Sequence, residues 1–477
     1  MTLDQNKESF LSVILIITLT ASFIFLWGVK FGNFQLRLII LILLVPSTIK
    51  IFKDLKKKNF TFLKYFIILS LFLSLQIIVN LILEQKIISS YSLFGTLFFL
   101  SLFVISYYYN EIINYNLDLL INIFFLIFFT SSFLAIFNYK NDVPFFCGGI
   151  PNFLGITTFI DETGERVLVD LDKPHLFNIS FREYIFSENS HLAMMAPGVL
   201  AYSIFKSIDK KSSNLFKFST ILFFLICAVK SSTTLLLGVP LSLLFIIFSN
   251  FKIISKKTLF IYILIIIGSF TIIMMSKECM SRLPSFNKLK QIYTIDSSKI
   301  ILNLDRVIVT EPNKRLSGGS GREIKENLVN KLNNFLNLEG SLSSSVFLHS
   351  IVIAKKSFIN KPFGWGLNRY DQAFNYYNKK ISLQPEDAID YLYNNKDASN
   401  NFVKILVEFG FLSLFFYFFI IVYSINRLVP LEHKLFFIPL IIVQSIRGAG
   451  YFNGGFALII FLILFSYINS IKSNKIK

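Results

Sequence analysis

Charge is scarce in this chain. Only 16% of its 477 residues are Asp, Glu, Lys or Arg, against roughly 25% in soluble domains. Cysteine is scarcer still: Cys147, Cys227 and Cys279 are the whole set. Three scattered thiols exclude a disulfide framework and a cysteine-based zinc site. No internal repeat is present, which argues against an inverted-repeat transporter. The N-terminus lacks the small-residue site of a cleavable signal, although Lys7 precedes an apolar run at 10–27. That run reads as a first transmembrane helix.

What fills the chain is apolar. It is 54% hydrophobic and 16% aromatic, with 56 Phe and a mean hydropathy of +0.61. A disordered chain is excluded, and a soluble enzyme of this size could not hide so much apolar surface. The expected class is an all-α polytopic membrane protein.

The net charge of +18 (47 Lys and Arg against 29 Asp and Glu) does not point to nucleic acid. The lysines cluster between apolar runs, as topology signals do, and form no basic stripe on a soluble unit. About 20 apolar helical residues cross a bilayer. On that rule helices fall at 10–27, 34–49, 62–83, 93–109, 117–137, 188–205, 216–229, 233–249, 258–275, 401–424, 435–446 and 455–469. These twelve divide the chain into helices one to five (1–137), a loop (138–187), helices six to nine (188–275), a large loop (276–400), and helices ten to twelve with a tail (401–477). Lysines in alternate short loops place both termini in the cytoplasm. The long loops are then extracytoplasmic. The large one carries an amphipathic stretch at 322–337 and an apolar stretch at 346–359.

Helix interiors read as nearly charge-free. The ionisable residues gather at the outer helix ends: Arg182, Glu188 and His191 before helix six, Lys230 after helix seven and Arg447 after helix eleven. Such residues are costly at a membrane and are functional candidates. Their placement at one face favours chemistry at a membrane surface over vectorial transport.

Five segments then resemble the O-antigen polymerase/ligase superfamily. Phe186-Ser187-Glu188-Asn189-Ser190-His191 resembles an F-x-E-x-S-H segment. Ser320-Gly321-Arg322 resembles S-G-R at the start of a loop helix. Asn360-Lys361-Pro362-Phe363-Gly364-Trp365-Gly366 resembles an N-x-P-x-G-x-G turn. Asn400-Asn401-Phe402, followed by Leu406, Glu408 and Gly410, resembles the start of the next helix. Arg447-Gly448-Ala449-Gly450-Tyr451-Phe452 resembles R-G-x-G-Y-F. Ser399 stands where ligases carry a histidine, and Lys230-Ser231-Ser232 where they carry an arginine turn. Both departures favour a polymerase of the Wzy type. A ligase or protein O-oligosaccharyltransferase is the alternative, and a flippase a further one.

The resemblance implies a GT-C-like fold in the bacterial inner membrane, with its active site at the periplasmic face. It implies a metal-independent, inverting glycosyltransferase without cofactor. The enzyme would join undecaprenyl-diphosphate-linked oligosaccharides into O-antigen or a related polysaccharide. Its partners would be those lipids, the membrane and a chain-length regulator.

Arginine suits the diphosphate leaving group, because guanidinium is permanently charged and binds phosphate oxygens two at a time. Arg322 and Arg447 are the candidates for that role. Glu188 or His191 is the candidate base. Arg182, Lys230, Trp365, Arg369 and Tyr451 are candidate substrate contacts. Each also has an ordinary reading. Glu188 suits a helix N-terminus, with Ser187 as cap. Arg447 suits a snorkelling interface anchor. Trp365 suits an interfacial aromatic belt, and Arg182 and Arg369 suit surface charges; Asp170 and Asp172 have the spacing of metal ligands but suit a solvated turn.

Overall fold

The computed structural model describes residues 30–31, 34–35, 41–84, 90–137, 158–160, 166–168, 189–229, 233–275, 342–378, 396, 398, 400–448, 450–452 and 455–475. The expected helix at 10–27, the stretch at 322–337, and Asp170, Asp172, Arg182, Glu188, Lys230 and Arg322 lie outside them. The described residues are helical apart from turns and two short antiparallel ribbons. In one, β1 (Lys30–Phe31) pairs with β2 (Phe34–Gln35); in the other, β3 (Thr158–Ile160) pairs with β4 (Arg166–Leu168). Among the described residues, three helices are long and apolar enough to cross a membrane, or four if one bent pair counts as a span. Four shorter apolar helices accompany them. The protein is a helical membrane protein.

The helix expected at 34–49 is displaced. Residues 34–35 form β2, and helix α1 spans Leu44–Lys56. Pro46 explains the shift. In the first turn its missing N–H costs nothing, whereas in a helix at 34–49 it would fall in the last turn, losing a hydrogen bond and crowding the carbonyl of residue 42. After α1 the chain turns at Lys58, whose φ is 60°, and bends through 116° into α2 (Thr61–Glu84). On α1, Val45, Ile49 and Phe52 are exposed along one stripe, while Ser47 and Asp54 are buried. Asp54 accepts a hydrogen bond from the Tyr107 hydroxyl at 2.7 Å and pairs with Lys50 at 3.5 Å. An apolar stripe beside Lys53 and Lys56 is the pattern of a helix lying along a membrane surface.

A second difference concerns the segments expected at 93–109 and 117–137. One continuous helix, α3 (Ser90–Phe137), holds both. The residues between them, 110–116, contain neither glycine nor proline to stop it. The next helices fall within a few residues of expectation: α4 (Asn189–Ser207), α5 (Asn214–Val229), α6 (Thr233–Asn250) and α7 (Lys256–Met275). In the large loop, α8 (Leu342–Asn360) contains the apolar stretch, and α9 (Tyr370–Asn378) is an element the sequence reading did not foresee. The expected helix at 401–424 is divided. α10 (Asn401–Phe409) meets a 3-10 turn (Gly410–Leu412) and continues as α11 (Ser413–Ile425). α12 (Leu431–Ile446) and α13 (Phe456–Lys475) complete the described chain.

α12 is the core helix. It is buried from His433 to Ile441 and packs on α4, α6, α10 and α13. Among lipid-like surroundings, close approach of backbones holds helices together, and α4 supplies it at Gly198. A Cβ on Gly198 would lie 2.4 Å from the Phe436 carbonyl oxygen. Gly198→Val is therefore expected to push α4 and α12 apart and cost about 1–3 kcal/mol or more. A lower unfolding temperature in detergent checks this.

Polar bonds pin the N-terminal end of α12. Lys206 on α4 lies 3.1 Å from Glu432 and 3.3 Å from Asp118 of α3. Tyr202 donates to Asp118 at 2.5 Å. Lys434 donates to Asn250 at 2.9 Å. The opposite end of α12 carries Arg447.

Candidate functional site

Three of the five recognisable segments meet in one junction, although they are dozens of residues apart in sequence. The turn at 360–366 runs alongside the end of α10. Trp365 N donates to the Val407 carbonyl at 3.0 Å, Gly366 N to the Glu408 carbonyl at 2.9 Å, and Phe411 N to the Pro362 carbonyl at 2.6 Å. The segment at 447–452 closes the other side, where Gly450 N donates to Asn401 Oδ1 at 3.1 Å.

Glycines make this fit possible. Gly364 and Gly410 have φ values of 81° and 54°, in the left-handed region that side chains disfavour. A Cβ on Gly410 would lie 2.0 Å from the Pro362 carbonyl oxygen, and one on Gly364 2.3 Å from that of Glu408. Gly410→Ala is expected to unseat the turn from α10. Its signature is a lower melting temperature together with tryptic cleavage after Arg369, which is buried in the seated turn.

Glu408 is the hub. Its side chain is fully buried (0% exposed) and accepts hydrogen bonds from three directions. Asn368 N donates at 2.8 Å and Tyr370 N at 3.1 Å, so the carboxylate sits at the N-terminus of α9. Lys404, one turn earlier on α10, approaches to 3.0 Å. Lys404 also donates to the Lys396 carbonyl at 2.6 Å and faces the rings of Tyr370 and Tyr451 at 5.8 and 5.3 Å. Asn400 caps α10, accepting from Val403 N at 2.7 Å.

Tyr451 is buried with its hydroxyl beside the Glu408 carboxylate. Burial and that charge push the phenol well above its usual range. Its ring meets Phe99 of α3 edge-on at 6.0 Å. Tyr451 thus links α3, α10 and α13, and its place is inside the junction.

Arg447 ends α12, with extended backbone (φ −136°, ψ 96°) and a partly exposed side chain. Its backbone N–H still bonds to Val443 at 2.7 Å. The next residue, Gly448, is pressed against α10: a Cβ there would lie 2.5 Å from Asn401 Nδ2. The junction therefore holds the base of Arg447 firmly and leaves its side chain at the rim.

Arg369 is brought into the same junction. It is 3% exposed, contrary to the surface-charge reading. Trp365 is buried as well. Lys361 Nζ lies 3.5 Å from its ring centroid, and Tyr376 and Tyr377 pack against it at 5.4 and 6.0 Å. A covered ring holds the turn together and offers no open face to a sugar. His191 lies in the first turn of α4, and the described residues do not include Glu188 beside it.

Sequence reasoning took the helix interiors as almost free of charge, and Lys404 and Glu408 overturn that. They stand four residues apart within one apolar segment, the spacing at which two charges neutralise each other on one helix face. That spacing was the available signal.

No family model matches this chain, and no curated protein or solved structure matches it.

Proposed function

We propose that this protein is a polymerase of the Wzy type. It joins undecaprenyl-diphosphate-linked oligosaccharide repeat units into O-antigen or a related polysaccharide at the outer face of the bacterial inner membrane. The observation that supports this reading best is the junction. Segments 360–366, 400–410 and 447–452, which carry the resemblance, interlock through backbone bonds, close-packed glycines and one buried carboxylate. Residues that serve one reaction need such mutual positioning.

The chemistry follows from the leaving group. A sugar hydroxyl attacks the anomeric carbon of the donor. The bond to the lipid diphosphate breaks, and negative charge grows on the departing phosphate. A preorganised guanidinium at a membrane edge stabilises that charge more than water does. In this reading Arg447 contacts the diphosphate from the rim, with Arg322 as its partner. Glu188 or His191 takes the hydroxyl proton. The twelve-helix GT-C-like topology, metal independence, inversion and a chain-length regulator belong to the same proposal.

Deletion in the host separates this reading from a ligase. The polymerase reading expects surface glycan reduced to a single capped repeat. Complete loss of attached glycan means a ligase, and an unchanged ladder counts against both.

A further inference from the structure

The turn between α8 and α9 has an outward edge as well as the inward one that grips α10. On the outward edge Ile359 and Phe363 are 67% and 61% exposed, and Pro362 between them is exposed too. An apolar edge of this kind on a loop calls for a partner.

The neighbouring surface of α11 indicates which partner. Phe411, Leu414, Phe415 and Phe418 are exposed, while Ser413, Ile420 and Tyr423 are buried. The exposed residues recur every three or four positions and form one stripe. On a helix of a membrane protein, an apolar stripe turned away from the bundle faces acyl chains.

That stripe continues onto the turn. Phe411 N donates to the Pro362 carbonyl at 2.6 Å, which sets Phe363 beside the first residue of the stripe. The contact lies at the end of α11 and not half-way along a longer span. Tyr417 donates its hydroxyl to the Phe402 carbonyl at 3.1 Å, and the two rings lie 4.9 Å apart. In one straight helix these residues would stand about 22 Å apart. The chain therefore reverses at Gly410, and the turn sits at the tip of α11, at the end of the bundle that carries Arg447.

The backbone of the turn meets the condition that lipid imposes. Hydrocarbon offers no hydrogen bonds, so peptide groups there must be satisfied within the protein. The N–H groups of Lys361, Gly364, Trp365 and Gly366 donate to the carbonyls of Ser357, Lys361, Val407 and Glu408. Pro362 has no N–H to satisfy. No Asp or Glu occurs from Leu342 to Arg369, so inserting this edge buries no carboxylate. Lys355, one turn before Ile359 on the same face of α8, is exposed; a lysine there reaches up to the headgroups.

We propose that the outward edge of this turn inserts into the bilayer leaflet at that end of the bundle, with Ile359, Pro362 and Phe363 among the acyl chains. The inference does not rest on the polymerase reading. Hydropathy alone sets the whole of the large loop outside the membrane, so the two placements are separable by experiment.

Nitroxide labelling of the full-length protein in nanodiscs of phosphatidylcholine and phosphatidylglycerol makes the test. Cys147→Ala and Cys279→Ala remove two thiols, and Cys227 stays because it is buried. Single labels are placed through Phe363→Cys, through Phe415→Cys as the lipid reference, and through Lys210→Cys in an exposed turn as the water reference. Electron paramagnetic resonance reads collisions with oxygen, which concentrates in lipid, and with a water-soluble nickel chelate. At 363 the expected result is oxygen collision close to that at 415 and nickel collision severalfold below that at 210. Nickel collision as frequent as at 210 overturns the insertion. Shielding from both reagents overturns the choice of lipid, because protein then covers the edge. If Phe363→Cys does not fold, Ile359→Cys decides by the same readings. Polymer formation, present or absent, leaves these readings unchanged.

Discussion

Glu408→Gln is expected to destabilise the protein by about 3–5 kcal/mol, the cost of removing one partner of a buried ion pair. The substitution keeps the shape and removes the charge. Lys404 would then face a neutral amide at 3.0 Å, and two backbone N–H groups would lose their charged acceptor. The α9 N-terminus would lose the anion that opposes its dipole. Adding Lys404→Met to Glu408→Gln should recover part of the loss, because a neutral pair leaves no buried charge unmatched. Thermal unfolding of the four proteins in one detergent forms the double-mutant cycle. A coupling near zero would mean that the pair is incidental. Because Glu408 holds both the 361–370 turn and the side of α10 facing Gly450, activity should fall with stability in the single variant.

Arg447→Ala is expected to lower the rate of glycan transfer by about 10²–10³-fold, the range for removing one preorganised donor from a developing anion. Stability should change little, since the side chain is partly exposed at the end of α12. Arg447→Lys keeps the charge and loses the two-pronged geometry, so it should retain only part of the rate. A split between an intact fold and lost transfer separates a substrate contact from the snorkelling anchor. The anchor reading expects Arg447→Lys to behave as wild type and Arg447→Ala to lose stability instead.

Much of the helical framework was legible because apolar runs of the right length have few alternatives in a bilayer. α4 to α7, α12 and α13 follow that rule. α1 did not, because the composition of 34–49 outweighed the position of Pro46. The joined helix α3 was hidden by a polar stretch that looked like a loop yet held no breaker. α9 lies in a loop where hydropathy carries no signal.

In the site, the segments at 360, 400 and 447 were legible as motifs, but their convergence was not. Convergence depends on Gly364, Gly410 and Gly448 meeting backbone or side chain from another segment, which spacing along the chain does not encode. Glu408 was visible as a motif letter, and its role emerged only when Asn368 and Tyr370 were found to donate to it. Trp365 was legible only as a candidate substrate contact or belt residue, while its packing against Lys361 and Tyr377 inside the turn depends on the fold.

The central claim is that this junction polymerises lipid-linked glycan, and reconstitution tests it most directly. The purified protein in detergent is given one defined undecaprenyl-diphosphate-linked repeat unit, and the products are separated by size. The expected result is a ladder of longer lipid-linked glycans that Arg447→Ala abolishes while the variant still unfolds at the wild-type temperature. No ladder with a competent substrate, or a ladder unaffected by Arg447→Ala, would contradict it.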